Sequence, residues 1–203
     1  MVVEPRPAQV SSAGHGPAPQ DQCPQITLIC GPAGGGKSRW AEHLAHSSGQ
    51  QVIYLATGPL LPDDPDWQHR LERHRQRRPP HWSCREVEGE LAPALADLNV
   101  GEIALIDSLG TWVAACLESS TPEWQQRCGD LLAALRLSAA PLLLVCEEVG
   151  WGVVPSSEAG GRFRTRLAEL EQRLMAEASA AWLVLGGRAI DLFLLSQPVP
   201  PVP

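Results

Sequence analysis

Residues 31–38 read Gly31-Pro32-Ala33-Gly34-Gly35-Gly36-Lys37-Ser38, the pattern G-x-x-x-x-G-K-[ST] of a phosphate-binding loop, or P-loop. The apolar run before it, residues 26–30, predicts a short buried strand, and residues 38–47 predict a helix directly after it. In such a strand–loop–helix unit, backbone N–H groups and the helix N-terminus converge on a phosphate. A glycine-rich turn without a ligand is the alternative, which the flanking strand and helix disfavour. The stretch therefore predicts a nucleoside triphosphate site at residues 31–38.

Lys37 is the only lysine in the chain, whereas the other fifteen of the sixteen basic side chains are arginines. A compact ammonium group reaches β- and γ-phosphate oxygens as a point charge, and a planar guanidinium fork is too wide for that loop. The use of lysine at this one position supports a catalytic role for Lys37 in phosphate chemistry.

The bulk composition limits the class of protein. A chain of 203 residues with 44% hydrophobic content suits one α/β domain with a full core. A net charge of −7 argues against nucleic-acid binding through the whole surface. The sequence shows no apolar run of the ~18 residues that span a bilayer and no signal-peptide core, so we expect a cytoplasmic protein without membrane insertion.

The two ends of the chain differ from its middle. Residues 1–24 and 196–203 hold nine of the nineteen prolines, and such segments bury too little apolar surface to offset their ordering entropy. We expect two disordered proline-rich tails around a single domain at residues 25–195. The six cysteines show no C-x-x-C pair, so neither a disulfide framework nor a zinc site is expected.

Strands and helices alternate through the domain. Short apolar runs, typical of strands covered on both faces, predict strands at 26–30, 51–56, 102–107, 141–146 and 181–185. Helical periodicity predicts helices at 38–47, 66–76, 89–98, 110–118, 122–137 and 160–179. This alternation predicts an α/β fold of the P-loop NTPase type, with a doubly wound, mostly parallel sheet, helices on both faces and a ligand at the carboxyl ends of the strands.

Acidic residues end two of the predicted strands. Asp107 closes one of them, and with Ser38 it would hold Mg²⁺ directly or through water. The alternative for Asp107 is a helix N-cap. Glu147 and Glu148 end another strand, where they are either a base or metal partner or two solvated loop acids.

A strongly basic segment lies at residues 69–85. It carries six arginines and three histidines against one acid, Glu72. Positive charge facing a P-loop would stabilise a triphosphate or a pyrophosphate leaving group. A solvated basic face and a patch for a polyanionic partner are the alternatives.

Four runs of the chain, in order, resemble a known enzyme family. They are the P-loop followed by Arg39, Val52-Ile53-Tyr54-Leu55-Ala56-Thr57, residues 73–82 (RHRQRRPPHW) and residues 148–155 (EVGWGVVP). The chain is similar, from about residue 26 to about residue 192, to the bifunctional adenosylcobinamide kinase / adenosylcobinamide-phosphate guanylyltransferase family of cobalamin assembly. The P-loop alone is unspecific, but the His-x-x-x-Arg-Pro and Glu-Val-Gly-x-Gly-x-Val-Pro runs together are highly specific.

The resemblance implies two reactions and a set of residues. Adenosylcobinamide is phosphorylated with ATP or GTP, and GMP is then transferred from GTP to that phosphate through a GMP–histidine intermediate. His74 matches the family's nucleophile, and family nucleotide contacts fall on Thr57, Arg75, Arg78, Glu86 and Asp107. The resemblance also implies a homotrimer.

The chain departs from the family pattern at a few positions. Glu147 stands where the family usually has Asn, and Thr165, Glu171, Gly161 and Ala168 depart from it in a late helix. These departures point to altered acceptor binding or subunit packing before any change in nucleotide binding.

Other classes of P-loop protein fit the sequence less well. A small-molecule kinase that has lost guanylylation is the alternative enzyme. A GTPase switch needs Asn-Lys-x-Asp, which cannot occur here because Asn99 and Lys37 are the only residues of their types. The signature Leu-Ser-Gly-Gly-Gln of ABC-type ATPases is also absent from the sequence.

Overall fold

The computed structural model describes residues 25–59, 61 and 63–200. Most of the two predicted tails, residues 1–24 and 201–203, lies outside the described residues, and residues 196–200 form no helix or strand. Seven strands form one sheet: β1 Ile26–Gly31, β2 Gln51–Ala56, β3 Ser83–Glu86, β4 Glu102–Asp107, β5 Leu142–Glu147, β6 Ala180–Leu185 and β7 Arg188–Asp191. Their order in the sheet is β3-β2-β4-β5-β1-β6-β7, and only β7 runs antiparallel to its neighbour.

Helices connect most of the parallel strands. They are α1 Lys37–Ser47, α2 Pro65–Arg77, α3 Leu91–Ala96, α4 Leu109–Ala115, α5 Thr121–Leu137, α6 Glu158–Glu177 and α7 Leu192–Leu195. Local signals set their starts: Asp64 accepts a hydrogen bond from the Trp67 backbone N–H at 3.0 Å at the start of α2, and Ser120 and Glu123 form a capping box at the start of α5.

The core lies on both faces of the sheet. On one face, α1 packs through Ala41 and Ala45 against β2, β4 and β5. On the other face, α3, α4, α5 and α6 bury a larger cluster that includes Trp112 and Trp124. Helices on both faces of a mostly parallel sheet confirm the predicted doubly wound architecture.

The five predicted strands and six predicted helices are all present, and their bounds shift by at most three residues. Three short elements, β3, β7 and α7, were not predicted. β3 and β7 are the two edge strands, so part of each is exposed and neither has a continuous apolar run. A hairpin signal was nevertheless present, because Gly186 and Gly187 join β6 to β7 with positive φ angles of 58° and 77°.

The parallel strands bring the predicted site residues to one edge of the sheet. β1 lies between β5 and β6, with Gly31 in register with Glu147. Asp107 ends β4, the other neighbour of β5. Because parallel strands end at the same edge, the P-loop, Asp107 and Glu147 meet there.

No helix in the described part of the chain is long and apolar enough to cross a membrane.

Candidate functional site

The P-loop packs directly on the end of β6. A Cβ atom on Gly31 or Gly35 would overlap the backbone carbonyl oxygen of Val184, and Gly187 N–H donates a 3.0 Å hydrogen bond to the Gly35 carbonyl. Gly34 and Gly36 have positive φ angles of 73° and 109°. Close backbone approach and left-handed backbone together account for the glycines of this loop.

Lys37 begins α1 and is 7% exposed. Its Nζ donates a 2.9 Å hydrogen bond to the Pro32 carbonyl across the loop. An ammonium group has three donors, so two remain for phosphate oxygens. The side chain is thus held over the loop in which a phosphate would lie.

A cavity of about 640 Å³ opens beside the loop. Its volume is typical of sites for small molecules. Its lining side chains come from the P-loop, α2, β4, α4, β5 and α6, and they include Lys37, Ser38, Arg73, His74, Arg77, Asp107, Thr111, Glu147, Val149 and Phe163. Two arginines and one histidine of the basic segment thus face the same space as the P-loop.

Asp107 lies at the centre of a hydrogen-bonded cluster. Its Oδ2 accepts a 2.6 Å bond from the Tyr54 hydroxyl and lies 3.5 Å from His74 Nδ1. Burial by itself raises the pKa of Asp107, but hydrogen bonds from His74, Tyr54 and Ser38 outweigh burial and lower that pKa below its usual value. The carboxylate is therefore ionised at neutral pH, close to Ser38 as the sequence predicts for a metal pair.

His74 is 20% exposed and points into the cavity from the last turn of α2. Its Nδ1 lies near both Asp107 and, at 3.4 Å, Arg77 Nη2. We assign the proton to Nδ1, donated to the ionised Asp107, because Arg77 is already paired elsewhere. The Nε2 lone pair is then free to act as a nucleophile.

Arg77 fixes α2 against α1. Its Nε and Nη2 donate to the Glu42 carboxylate at 3.2 and 2.9 Å, and these bonds raise the pKa of Arg77. Because α1 follows the P-loop, this ion pair sets the position of the helix that carries His74 relative to the loop.

Arg75, Arg78 and Glu86 lie farther from the loop, beside β2 and β3. Arg78 covers the Tyr54 ring at 3.5 Å, and its buried Nε has no hydrogen-bond partner among the described residues. Arg75 and Glu86 form a 3.7 Å ion pair whose side chains are 49% and 37% exposed. These three residues thus line the surface beyond Tyr54 and do not line the cavity itself.

Thr57 has a different environment from the other predicted contacts. It is fully buried, its Oγ1 donates to the Ser108 carbonyl at 2.6 Å, and it accepts from Ser108 N–H at 2.8 Å. The Thr111 hydroxyl lies 2.7 Å away. The Thr57 side chain therefore joins the end of β2 to the turn after β4, beneath the cavity.

The two acids at the end of β5, Glu147 and Glu148, lie in different environments. Glu147 lines the cavity, where its carboxylate accepts from Ser108 Oγ at 2.5 Å and from Gly110 N–H at 2.9 Å. Glu148 instead accepts from Gly150 N–H at 2.5 Å within its own turn. Among the other departures from the family pattern, Thr165 and Ala168 are exposed.

Sequence reasoning did not single out Tyr54, Glu42 and Gly110 as site residues. Tyr54 offered a signal, because the only tyrosine of the chain lies inside an apolar strand, where a buried hydroxyl needs a partner. Glu42 and Gly110 offered none, since their partners, Arg77 and Glu147, are more than thirty residues away.

The fold and the loop define a P-loop protein of the α/β class. The chain matches the family model described as cobinamide kinase / cobinamide phosphate guanyltransferase over residues 27–192. The chain belongs to this family. The family match confirms the predicted class of enzyme, a bifunctional kinase and guanylyltransferase.

Individual relatives agree with the family match. The chain is 34% identical over 182 residues to the bifunctional adenosylcobalamin biosynthesis protein CobU of Escherichia coli (strain K12), which covers 82% of this chain and 99% of the relative. It is 34% identical over 169 residues to the bifunctional protein CobP of Pseudomonas aeruginosa, which covers 81% of this chain and 95% of that one. The solved PH0250 protein of Pyrococcus horikoshii OT3 shares the fold alone, with a TM-score of 0.51, 7% identity and coverage of 84% and 86%.

Proposed function

We propose that this chain phosphorylates adenosylcobinamide with ATP or GTP and then transfers GMP from GTP, through His74, to give adenosylcobinamide-GDP in cobalamin nucleotide-loop assembly. The observation that carries the proposal is the position of His74. Its imidazole, 3.5 Å from Asp107, faces the same cavity as Lys37 and Ser38.

The first reaction is phosphoryl transfer. The acceptor hydroxyl attacks the γ-phosphorus of the donor, the bond from that phosphorus to the β–γ bridging oxygen breaks, and a nucleoside diphosphate leaves. Lys37 and the loop N–H groups stabilise the charge on the transferring group and the leaving oxygen. Asp107 and Glu147 both line the cavity. Asp107 belongs to the proposed metal pair, so Glu147 would take the hydroxyl proton.

The second reaction is guanylyl transfer. Nε2 of neutral His74 attacks the α-phosphorus of GTP, and the bond to the pyrophosphate oxygen breaks. Lys37, Arg73 and Arg77 surround the cavity and stabilise the leaving pyrophosphate. The phosphate of the acceptor then attacks the same phosphorus, the P–N bond breaks, and His74 returns to its starting state.

The donor set fits Mg²⁺ held jointly with a triphosphate. Ser38 and Asp107 offer a hydroxyl and an ionised carboxylate that both line the cavity. The described residues contain no group of three or more His, Cys, Asp or Glu side chains that could hold a metal by themselves. Mg²⁺ commonly uses one or two carboxylates together with substrate phosphates, and there it would neutralise phosphate charge.

We assign guanine recognition to the surface beyond Tyr54. Glu86 can accept from the N1–H and the exocyclic amine of guanine, two donors that adenine does not present together on one edge. The long and exposed Arg75–Glu86 pair is weak enough to exchange partners. Arg75 and Arg78 would then contact the GMP phosphate or ribose, and Thr57 would position the strand ends beneath them.

The test is covalent labelling of His74. GTP labelled at its α-phosphate should leave GMP on the protein without any corrinoid, and ATP should not. The adduct should be labile in acid and stable in base, as a phosphoramidate is. His74→Ala should lose the adduct and the guanylyl transfer but retain kinase activity, whereas Lys37→Ala should lower both rates by about 10²–10³.

His69→Ala and His81→Ala are the matched controls, since both histidines are exposed and lie outside the cavity lining. Both variants should still label. Kinase activity without any GMP adduct in the wild type would favour the alternative, a P-loop kinase that has lost guanylylation.

Assembly and domain organisation are also proposals. We propose a homotrimer, which is supported by large apolar side chains exposed at the C-terminal end of the domain: Leu185, Ile190, Phe193, Leu194 and Leu195. One sheet from β1 to β7 supports a single domain at residues 25–195. The cytoplasmic location stays a prediction.

A further inference from the structure

A second, smaller cavity of about 180 Å³ lies on the other side of the P-loop. Its lining consists of Gly36, Arg39, Trp40, Val184, Gly187 and Ala189. Gly36 and Arg39 also line the large cavity. The loop and the first turn of α1 therefore separate two cavities that open on the same phosphate-binding segment.

The sheet order places the two cavities on opposite sides of β1. The large cavity lies above β4 and β5, and His74 and Asp107 belong to it. The small cavity lies above β6 and β7, where the Gly187 N–H bond to the Gly35 carbonyl holds the β6–β7 hairpin against the loop. Neighbouring strands are about 4.8 Å apart, so the two cavities lie within the length of one nucleotide of each other.

The two reactions place different phosphorus atoms in the large cavity. In a P-loop, the lysine reaches the β- and γ-phosphates, and the Ser/Thr hydroxyl lies on the metal beside them. A phosphoryl donor whose γ-phosphate lies near Lys37, Ser38 and Asp107 must send its nucleoside away from the large cavity. Guanylyl transfer instead needs the α-phosphorus at His74, so that the α-phosphate lies in the large cavity, the pyrophosphate lies in the loop and the guanosine extends beyond Tyr54.

We infer that the small cavity is the nucleobase subsite of the phosphoryl donor, and that the P-loop takes its two nucleotides in opposite orientations. The inference rests on the proposed function. A donor purine would lie against Trp40, Val184 and Ala189. The GTP that labels His74 would extend towards β2 and β3 on the other side of the loop.

The side chains that line the small cavity suit adenine and guanine equally. Trp40 and the apolar side chains offer contact area, and none of the six lining residues is an acid that would select guanine. Trp40 Nε1 is buried and has no hydrogen-bond partner among the described residues. A buried donor without an acceptor costs free energy, and a purine ring nitrogen that accepted from Nε1 would remove this penalty. Arg39 lines both cavities, and its guanidinium lies 3.4 Å from the position of a Cβ built on Gly36. From there it could contact the α-phosphate of the donor.

The first test fills the small cavity. Ala189→Phe should raise the KM for ATP and for GTP in phosphoryl transfer at least about tenfold, while the rate of His74 labelling by GTP stays at the wild-type value. Arg188→Phe is the matched control, because Arg188 is exposed beside Ala189 on β7 and neighbouring side chains on a strand point to opposite faces. It should change neither the KM nor the labelling rate.

Two results for Ala189→Phe would overturn the inference. One is an equal loss of phosphoryl transfer and of His74 labelling at a wild-type melting temperature, and the other is no change in either reaction. Photolabelling of the wild-type protein with 8-azido-ATP tests it without any variant. The label should fall on the first turn of α1 or on the β6–β7 hairpin, and a label confined to α2 and β3 would contradict the subsite. A missing His74 adduct in the wild type would count against the proposed function, whereas the KM and the photolabel still report on the donor subsite.

Discussion

Glu147 and Gly110 fit each other at the scale of single residues. The Glu147 carboxylate occupies the space that a Cβ on residue 110 would need, and it bonds the Gly110 N–H in the same place. The glycine is therefore explained by a neighbouring carboxylate and not by its backbone angles. Since Glu147 lines the cavity, the same contact fixes the position of its carboxylate there.

Gly110→Ala should displace the Glu147 carboxylate and lower the free energy of unfolding by about 1–3 kcal/mol. In a Glu147→Ala background, the same change should be neutral or should stabilise by up to about 1 kcal/mol, because alanine is the better helix former. Urea unfolding of the two single variants and the double variant measures this coupling. Additive effects of the two changes would show that the carboxylate and residue 110 do not compete for the same space.

At the scale of secondary-structure elements, α6 carries a partly buried acid, Glu171, beside its apolar face. One face of α6 is apolar, with Leu167, Leu170 and Leu174 buried and Phe163 partly buried against the core. Glu171 adjoins this stripe in sequence and interacts with the Cys30 thiol of β1. Burial raises the pKa of Glu171, the Cys30 hydrogen bond lowers it, Glu148 raises it further, and the net shift is upward.

A carboxyl group with a raised pKa binds its proton more tightly in the folded state than in the unfolded state. Its contribution to stability is therefore greatest at low pH and falls as the pH rises from the unfolded value towards the folded one. Glu171→Gln should remove this loss of folding stability with rising pH, because glutamine does not titrate. Urea unfolding at about pH 5 and about pH 8 should show a smaller pH-dependent decrease for the variant than for the wild type.

Glu169→Gln is the matched control for that experiment, because Glu169 is exposed on the same helix. It should leave the pH dependence of the wild type unchanged. If Glu171→Gln also leaves it unchanged, the raised pKa of Glu171 is not a source of instability at neutral pH.

At the scale of the whole molecule, the C-terminal end of the domain is incompletely covered. Phe193, Leu194 and Leu195 are 46%, 78% and 71% exposed and follow the edge strand β7. A cluster of large exposed apolar side chains is typical of a surface that binds another protein. The proposed trimer would bury this surface.

Leu194→Glu combined with Leu195→Glu should dissociate the trimer, since burying two carboxylates in an apolar interface costs several kcal/mol. Light scattering should show three chains of 21.9 kDa for the wild type and one for the variant. Leu137→Glu, at an 84% exposed position on α5, is the control and should remain trimeric. A wild type that elutes as a monomer would contradict the proposal directly.

Much of the architecture follows from properties local in the chain. The P-loop, the alternating apolar strands and amphipathic helices, and the acid that ends β4 are short-range patterns, so the sequence predicts them and the doubly wound fold they form. Edge strands such as β3 lack such a pattern because half of their surface faces solvent.

The tertiary structure alone decided which side chains meet. His74 and Asp107 are 33 residues apart and Gly110 and Glu147 are 37 apart, and each pair is brought together by strand order and register. The same contacts placed Thr57 beneath the cavity and joined Tyr54 to Asp107. The physical reason is that periodicity and propensity act over a few residues, whereas a site is assembled from the ends of strands far apart in the chain.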